Sequence, residues 1–341
     1  MVIMVKKIFF CFIIFCSGSV HSVPAVKLAS FPDVLKPVMI AIGDGKLYIS
    51  DQYSILSYSM ADYKLVGKIG AKGEGPGEFK SYPRMKILKK EILVYSFLKF
   101  SRFSKNGKLL MEKRVPSLLM LYDIFPIGNN YVTYFSRFNR DGDTIMSVSI
   151  IDKDFKKIKS LFYHIKERKN KNGKEVVRLI NSGVDIQCEA DKIFLANSHK
   201  GFCIEIFESN GNPIGVINKK FPKIKIPEDY KNKRLVDFLK KYSSNQKKKI
   251  AKTIEFDFPE YFPEMRGLIV SGGKIYVNTY AIMDDKMEYI ILDLDGKLLK
   301  KVFLPKSGYR HSTFYNEKYY FLKENEPEEI WELYSVKVKI D

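Results

Sequence analysis

One short pattern recurs along the chain: a turn residue, a polar residue, then an apolar run that is alternating or continuous. Its copies are Gly45-Lys46-Leu47-Tyr48-Ile49, Lys90-Glu91-Ile92-Leu93-Val94, Asn129-Asn130-Tyr131-Val132-Thr133, Asp191-Lys192-Ile193-Phe194-Leu195, Gly273-Lys274-Ile275-Tyr276-Val277 and Glu317-Lys318-Tyr319-Tyr320-Phe321. Each copy is short, rich in β-branched and aromatic side chains and bounded by a turn former, so each predicts a buried strand. A second pattern follows the first five copies: an apolar strand end, a polar turn and a new strand. It is plainest at Phe103 to Leu109, Phe207 to Asn212 and Leu292 to Leu298, and looser at Tyr58 to Leu65 and Ile151 to Ile158. Asn106-Gly107, Asn210-Gly211 and Asp295-Gly296 predict tight hairpins in which both central residues take positive φ.

The anchors Leu47, Ile92, Tyr131, Ile193, Ile275 and Tyr319 stand 45, 39, 62, 82 and 44 residues apart. The shorter intervals match one four-stranded propeller blade of about 40 to 50 residues, and the two longer ones imply insertions. The expectation is therefore an all-β, six-bladed β-propeller over 23–341. After the last copy only one further strand fits, at Ile330 to Ile340. Ala25 to Phe31, ahead of the first blade, is expected to supply the missing outer strand, closing the ring and removing two exposed sheet edges.

Two segments carry a resemblance. Gly70-Ala71-Lys72-Gly73-Glu74-Gly75-Pro76-Gly77-Glu78-Phe79 resembles the GxGPGEF segment of exported bacterial six-bladed propellers related to the NHL-repeat proteins. Phe258-Pro259-Glu260-Tyr261-Phe262-Pro263, ahead of a strand and Gly273 to Val277, is similar to the approach to a late blade of the same group. The resemblance covers nearly all of the chain after residue 22 and implies a fold and an exported location rather than an activity. Trp331 is the only tryptophan, unlike the tryptophan-aspartate propellers, and no double-glycine kelch repeat is present.

The first 22 residues read as an export signal. Lys6 and Lys7 precede the apolar run Ile8 to Cys16, and Val20-His21-Ser22 forms a small-residue site, so cleavage is expected after Ser22. That run is too short to span a bilayer, which needs about 20 residues. The rival reading makes Cys16 a lipid-anchored N-terminus, although the bulky Phe15 precedes it. The expected location is the periplasm, the cell envelope or the exterior. Cys188 and Cys203 would remain after cleavage, on strands separated by a third and hence about 9 to 10 Å apart. That exceeds the roughly 7 Å reach of a disulfide between Cα atoms, so two unpaired thiols are expected.

Composition adds charge to this picture. The 341 residues include 58 Lys and Arg against 39 Asp and Glu, a net +19, while 45% hydrophobic and 28% charged content is ordinary for a globular chain and excludes disorder. The two insertions hold much of the excess. Tyr163 to Ser182 is net +4 and Lys219 to Met265 is net +6, and the centre of the second, Pro227 to Ile254, is expected to be helical because Leu235, Phe238 and Leu239 share one face. The helix-containing insertion, about 222–263, falls between blades four and five. Connections from an outermost strand to the next innermost one emerge on one face of a propeller, so both insertions are expected around one mouth of the channel. The candidate binding residues there are Lys166, Arg168, Lys169, Lys171, Lys233, Arg234, Lys240 and Lys241. Tyr230, Phe238, Tyr242, Phe256, Tyr261 and Phe262 interleave with the charges and are read as packing residues rather than base-stacking ones.

No motif specifies catalysis. The glycine-rich loop lacks a following GK[ST] and contains Pro76, so it reads as an inter-blade turn rather than a phosphate cradle. His164, His199 and His311 have no partner at metal-ligand spacing, GxSxG is absent, and Arg140-Asp141-Gly142-Asp143 lacks the ligand series of a calcium loop. The expected function is an exported binding or scaffolding module for an acidic protein surface or an anionic glycan. A monomer is expected, with no nucleic-acid partner and no transmembrane segment. The alternative is a metal-assisted hydrolase or lyase with its site in the central channel, calcium being the cofactor left open.

Overall fold

A computed structural model describes residues 24–116, 119–166, 170–308 and 310–340, so the expected signal segment and Cys16 lie outside the described residues. Strand β1 (Val26–Phe31) comes first. The first sheet is β2 (Pro37–Gly43), β3 (Lys46–Asp51), β4 (Ser54–Ser59) and β5 (Leu65–Ile69); the second is β6 (Arg84–Ile87), β7 (Glu91–Ser96), β8 (Lys99–Ser104) and β9 (Leu109–Arg114). The third is β10 (Met120–Ile127), β11 (Asn130–Phe138), β12 (Thr144–Ile151) and β13 (Lys157–Lys166), followed by the short hairpin β14 (Asn170–Lys171) and β15 (Lys174–Arg178). The fourth is β16 (Val184–Glu189), β17 (Lys192–Asn197), β18 (Phe202–Glu208) and β19 (Pro213–Lys219), followed by helices α1 (Glu228–Leu239) and α2 (Ser244–Thr253) and strand β20 (Ile254–Asp257). The fifth is β21 (Gly267–Ser271), β22 (Lys274–Met283), β23 (Lys286–Asp293) and β24 (Leu298–Pro305). The sixth takes β25 (Ser312–Tyr315), β26 (Lys318–Asn325) and β27 (Ile330–Lys337) from one end of the chain and β1 from the other.

All six copies of the repeated pattern are the second strand of their sheet, and its apolar continuity has a geometric cause. On β3, Leu47 and Ile49 enter one core cluster while the intervening Tyr48 enters another. A strand buried on both faces loses the alternation expected of a half-exposed one. The clusters lie between successive sheets: Tyr48 with Met85 and Ile92, Leu93 with Ile124, Val132 with Ile193, Phe194 with Ile275, Tyr276 with Phe321, and Leu322 with Leu47. The last contact brings the sixth sheet back onto the first. At the centre β2 lies against both β6 and β25, β16 against β10 and β21, and β21 against β25. Four-stranded meanders packed face to face around a closed ring, with their first strands innermost, define a β-propeller arrangement.

Closure by the N-terminal strand is present: β1 pairs antiparallel with β27, from Val26 opposite Ser335 to Phe31 opposite Trp331. Lys27 of β1 is paired with Glu332 of β27. Hydrogen bonds from Lys27 and Tyr334, against the opposing effect of burial, hold the Glu332 carboxyl down at about 2.

Turn chemistry differs from expectation. At Asn106-Gly107, Asn210-Gly211 and Asp295-Gly296 only the glycine has positive φ, at 87°, 79° and 88°. The backbone closes as Gly107 N–H to Ser104 O at 3.0 Å and Ser104 N–H to Lys108 O at 2.8 Å, with a register shift between Arg102 and Phe103. This is a three-residue loop with a glycine bulge, which absorbs the extra residue without a left-handed asparagine. Two-residue turns with both φ values positive sit instead between first and second strands, at Asp44-Gly45 (52° and 67°) and Asn316-Glu317 (46° and 56°). The GxGPGEF segment joins the first sheet to the second. Gly75 N–H donates to Glu78 Oε2 at 2.8 Å and Gly77 N–H to Glu112 Oε2 of β9 at 2.9 Å, so these loop amides are taken by carboxylates of the protein itself. Gly70 (φ 82°) is needed because a Cβ there would collide with the buried Phe79 ring.

The closing strand should carry a large share of stability. Phe31 is 2% exposed and lies 4.5 Å from the Tyr58 ring, whereas Val26 is 57% exposed. Phe31→Ala should lower unfolding free energy by about 3–5 kcal/mol in urea titration. Val26→Ala on the same strand should change it by less than about 0.5 kcal/mol.

Candidate functional site

The two insertions meet. β15 pairs in parallel with β20, Glu175 to Arg178 opposite Ile254 to Asp257, and with β14 makes a seventh, three-stranded sheet outside the ring. Ion pairs join the same two segments, Lys171 to Glu255 at 2.7 Å and Arg178 to Asp257. The first insertion starts later than the sequence suggested, because Tyr163 to Lys166 complete β13, with Lys166 opposite Thr144. Likewise Lys219 belongs to β19. Both helices fall within the expected helical span. Ser243 and Gln246 form a reciprocal cap on α2, and Ile250 buries its apolar side.

Aromatic residues hold this module on the propeller. Phe262 stacks on Tyr280 of β22 with centroids 4.4 Å apart, Tyr230 of α1 packs edge-on to Phe262 at 4.9 Å, and Ile180 and Ile226 complete the cluster. Phe238 contacts Phe256 at 5.4 Å and Tyr242 at 5.3 Å. These rings are engaged in packing; Tyr261 is exposed, 5.8 Å from Lys223.

The eight predicted cations separate by environment. Lys171 is paired with Glu255, and Lys240 with Asp237 at 3.4 Å, one turn along α1. Lys166, Lys233, Arg234 and Lys241 are exposed and have no acidic partner among the described residues. Arg168 and Lys169 lie outside the described residues.

A second group, absent from the sequence expectations, stands in the channel. The first strands of all six sheets line a cavity of about 310 Å³. Its charged residues are Lys86, Asp123, Asp185, Arg266 and Arg310: Arg266 and Arg310 stand just before β21 and β25, Asp185 is second on β16, and Asp123 and Lys86 lie further along β10 and β6. The insertions run into β16 and β21, so they and this cluster share one end of the channel. Asp123, with 5% of its side chain exposed, is the hub. Its Oδ1 accepts from Lys86 at 2.9 Å, from the Tyr95 hydroxyl at 2.8 Å and from Ile124 N–H at 2.9 Å. Its Oδ2 takes Arg310 Nη2 at 3.1 Å, across the channel from the sixth sheet. Burial works to raise the Asp123 carboxyl, but Lys86 and Arg310 outweigh it and hold it below the usual aspartate value. Burial lowers the Lys86 ammonium despite Asp123, and raises Asp185, whose Oδ2 accepts Leu268 N–H at 3.0 Å. A smaller cavity of about 110 Å³ shares Asp185 and Arg266 and reaches Asn181 and Tyr280 beneath the insertions.

Cys188 on β16 and Cys203 on β18 are free, with β17 between them, and burial pushes the Cys188 thiol up to about 12. The fold brings His164 and His199 to 4.5 Å between ring centroids, a pairing their sequence spacing does not announce. His311 Nε2 lies 2.9 Å from Pro37 O. Asp143 belongs to a turn, accepting from Asn139 Nδ2 at 3.1 Å. No group of three or more His, Cys, Asp or Glu side chains among the described residues is placed to hold a metal ion. No described helix is long and apolar enough to cross a membrane.

No family model matches the sequence, and no curated protein sequence does either. Among solved structures the chain is similar to the Neurospora crassa Pan2 WD40 domain, at 10% identity over 93% of this chain and 97% of that one, with a TM-score of 0.45. It is also similar to Kuenenia stuttgartiensis hydrazine synthase (12% identity, 87% and 78% coverage, TM-score 0.39) and to a protein of unknown function from Bacteroides caccae (8%, 84% and 82%, 0.37). All three scores are low, and it is the chain's own strand order that defines the propeller arrangement.

Removing the hub charge should be severe. Asp123→Asn would leave Lys86 and Arg310 without their shared counter-charge, and should lower unfolding free energy by about 3–5 kcal/mol at pH 7 in urea titration. Because the folded pKa is depressed, this contribution is complete above the unfolded value of about 3.9 and is lost as pH falls through the lower folded value. The wild-type advantage over the variant should therefore shrink in acid.

Proposed function

We propose that the protein is an exported six-bladed β-propeller related to the NHL-repeat proteins, and that it binds an acidic protein surface or an anionic glycan at the channel mouth. On this reading the six four-stranded sheets are the blades, the three-stranded sheet is an appendage, and the segment 1–22 is a signal removed after Ser22. The observation that carries it is the ordered presentation of unneutralised charge. Parallel pairing of β15 with β20 and the Phe262–Tyr280 stack hold the insertions together, while Lys166, Lys233, Arg234 and Lys241 face solvent without acidic partners among the described residues. A fixed platform spends less conformational entropy on docking than a loose basic tail would. Lys171 and Lys240 serve on this reading mainly to orient the platform through their own ion pairs, with Arg168 and Lys169 as further contact candidates.

The test uses the protein from residue 23 onward on surfaces bearing polyglutamate, dextran sulfate or neutral dextran. Binding should be confined to the two anionic surfaces and should fall steeply between about 0.05 and 0.5 M salt, as the Debye length contracts. Reversing Lys166, Lys233, Arg234 and Lys241 together to Glu should weaken it at least about tenfold through loss of charge complementarity. Equal retention on neutral dextran, or an unchanged affinity in the reversed variant, would refute the proposal.

A further inference from the structure

The central cavity differs from the outer platform in chemistry as well as position. Three cations, Lys86, Arg266 and Arg310, line it against two acids, Asp123 and Asp185. Asp123 is committed to Lys86 and Arg310, and Asp185 to the amides of Ile186 and Leu268. Arg266 is different. It is exposed, it has no acidic partner among the described residues, and its guanidinium reaches Met287 Sδ, at 2.7 Å, beside the Tyr280 ring at 5.8 Å. A guanidinium is a planar fork of donors suited to two carboxylate oxygens.

Beyond the charged end the lining turns apolar. Arg266 stands one residue before β21, whereas Val270 lies four residues further along; on other first strands Ile42, Ile87 and Phe314 occupy the later positions, while Phe125 lies level with Lys86, whose ammonium is 3.5 Å from its ring centroid. Position along a first strand corresponds to depth in the channel, since these strands run along its wall. One end of the cavity thus carries surplus positive charge and the other offers apolar surface. A cavity of about 310 Å³ is of the size that small-molecule sites use.

We propose that this cavity binds a small organic monocarboxylate, with its carboxylate on Arg266 at the mouth and its apolar body among Ile42, Ile87, Val270 and Phe314. An uncharged molecule of the same shape forgoes the guanidinium, and a short or inorganic anion forgoes the apolar wall. The field of the Lys86–Asp123–Arg310 group, one acid against two cations, favours the anion over the neutral form. Nothing is consumed in this step; it is binding alone.

Calorimetric titration with octanoate, octan-1-ol, acetate and inorganic phosphate separates these contributions. Octanoate should saturate at one molecule per chain, and each of the other three should bind at least about tenfold more weakly. Arg266→Gln, on an exposed side chain and so expected to leave the fold intact by circular dichroism, should weaken octanoate about tenfold or more and leave octan-1-ol unchanged. Lys233→Glu, on the outer platform, should leave octanoate binding unaltered, which separates this site from docking at the platform. Equal affinity for octanoate and octan-1-ol, phosphate binding as tight as octanoate, binding of several octanoates per chain, absence of saturable binding, or wild-type affinity in Arg266→Gln would each overturn the assignment.

Discussion

Asp123 is the interaction on which the centre of the molecule depends. The first strands of the sheets meet only around the channel, where no continuous hydrogen-bond ladder can join them. Asp123 on β10 supplies that join by holding Lys86 of the second sheet, Tyr95 of the same sheet and Arg310 from the approach to the sixth. Arg310 also donates to Tyr122 O at 3.4 Å, and its own carbonyl accepts Ile40 N–H at 3.0 Å, tying the first sheet to the same group. A buried carboxylate with three side-chain partners and an amide is fully satisfied, which is the condition under which such a group specifies one arrangement rather than loosening several.

Outside that hub, cohesion is apolar and divided among the seams. Each second strand feeds two clusters, as Leu47 and Tyr48 do on opposite faces of β3, so every sheet is fastened to both neighbours. The seam between the sixth sheet and the first is the one closed by distant parts of the chain. Phe31 and Leu28 of β1 pack there with Leu333 of β27 and Ile40 of β2, so the contact that completes the ring has the largest sequence separation in the fold. Long-range closure of this kind makes folding slow relative to a local meander.

The repeated second strands and the joining of the two ends were legible because burial on both faces leaves an unmistakable mark: a short apolar run after a turn residue. The turn geometry was less so. An Asn-Gly pair is compatible with a two-residue turn or with a bulged three-residue loop, and the choice at Asn106-Gly107 is set by the pairing of Phe103 with Leu109 across the hairpin. The channel group was missed although it left a trace. Lys86, Asp123 and Asp185 each interrupt an apolar stretch just ahead of a repeated copy, in Arg84 to Ile87, Met120 to Ile127 and Val184 to Glu189. One such charge reads as the exposed edge of a strand; only the ring shows that the three converge.

That convergence follows from connectivity rather than coincidence. Every passage from the last strand of one sheet to the first strand of the next arrives at the same end of the channel, so insertions placed in those passages share a face with Asp185, Arg266 and Arg310 at the starts of first strands. Lengthening a connection between first and second or third and fourth strands would have put the helices on the opposite face. The chain places both of its long insertions in such passages, and Arg266 ends the second one where β21 begins. The residue that completes the charged rim of the cavity therefore also ends the basic insertion, which makes the two surfaces continuous in the chain while they remain separate in chemistry: solvated lysines outside, and inside a channel where Lys86 and Arg310 share Asp123 and Arg266 stands apart from them.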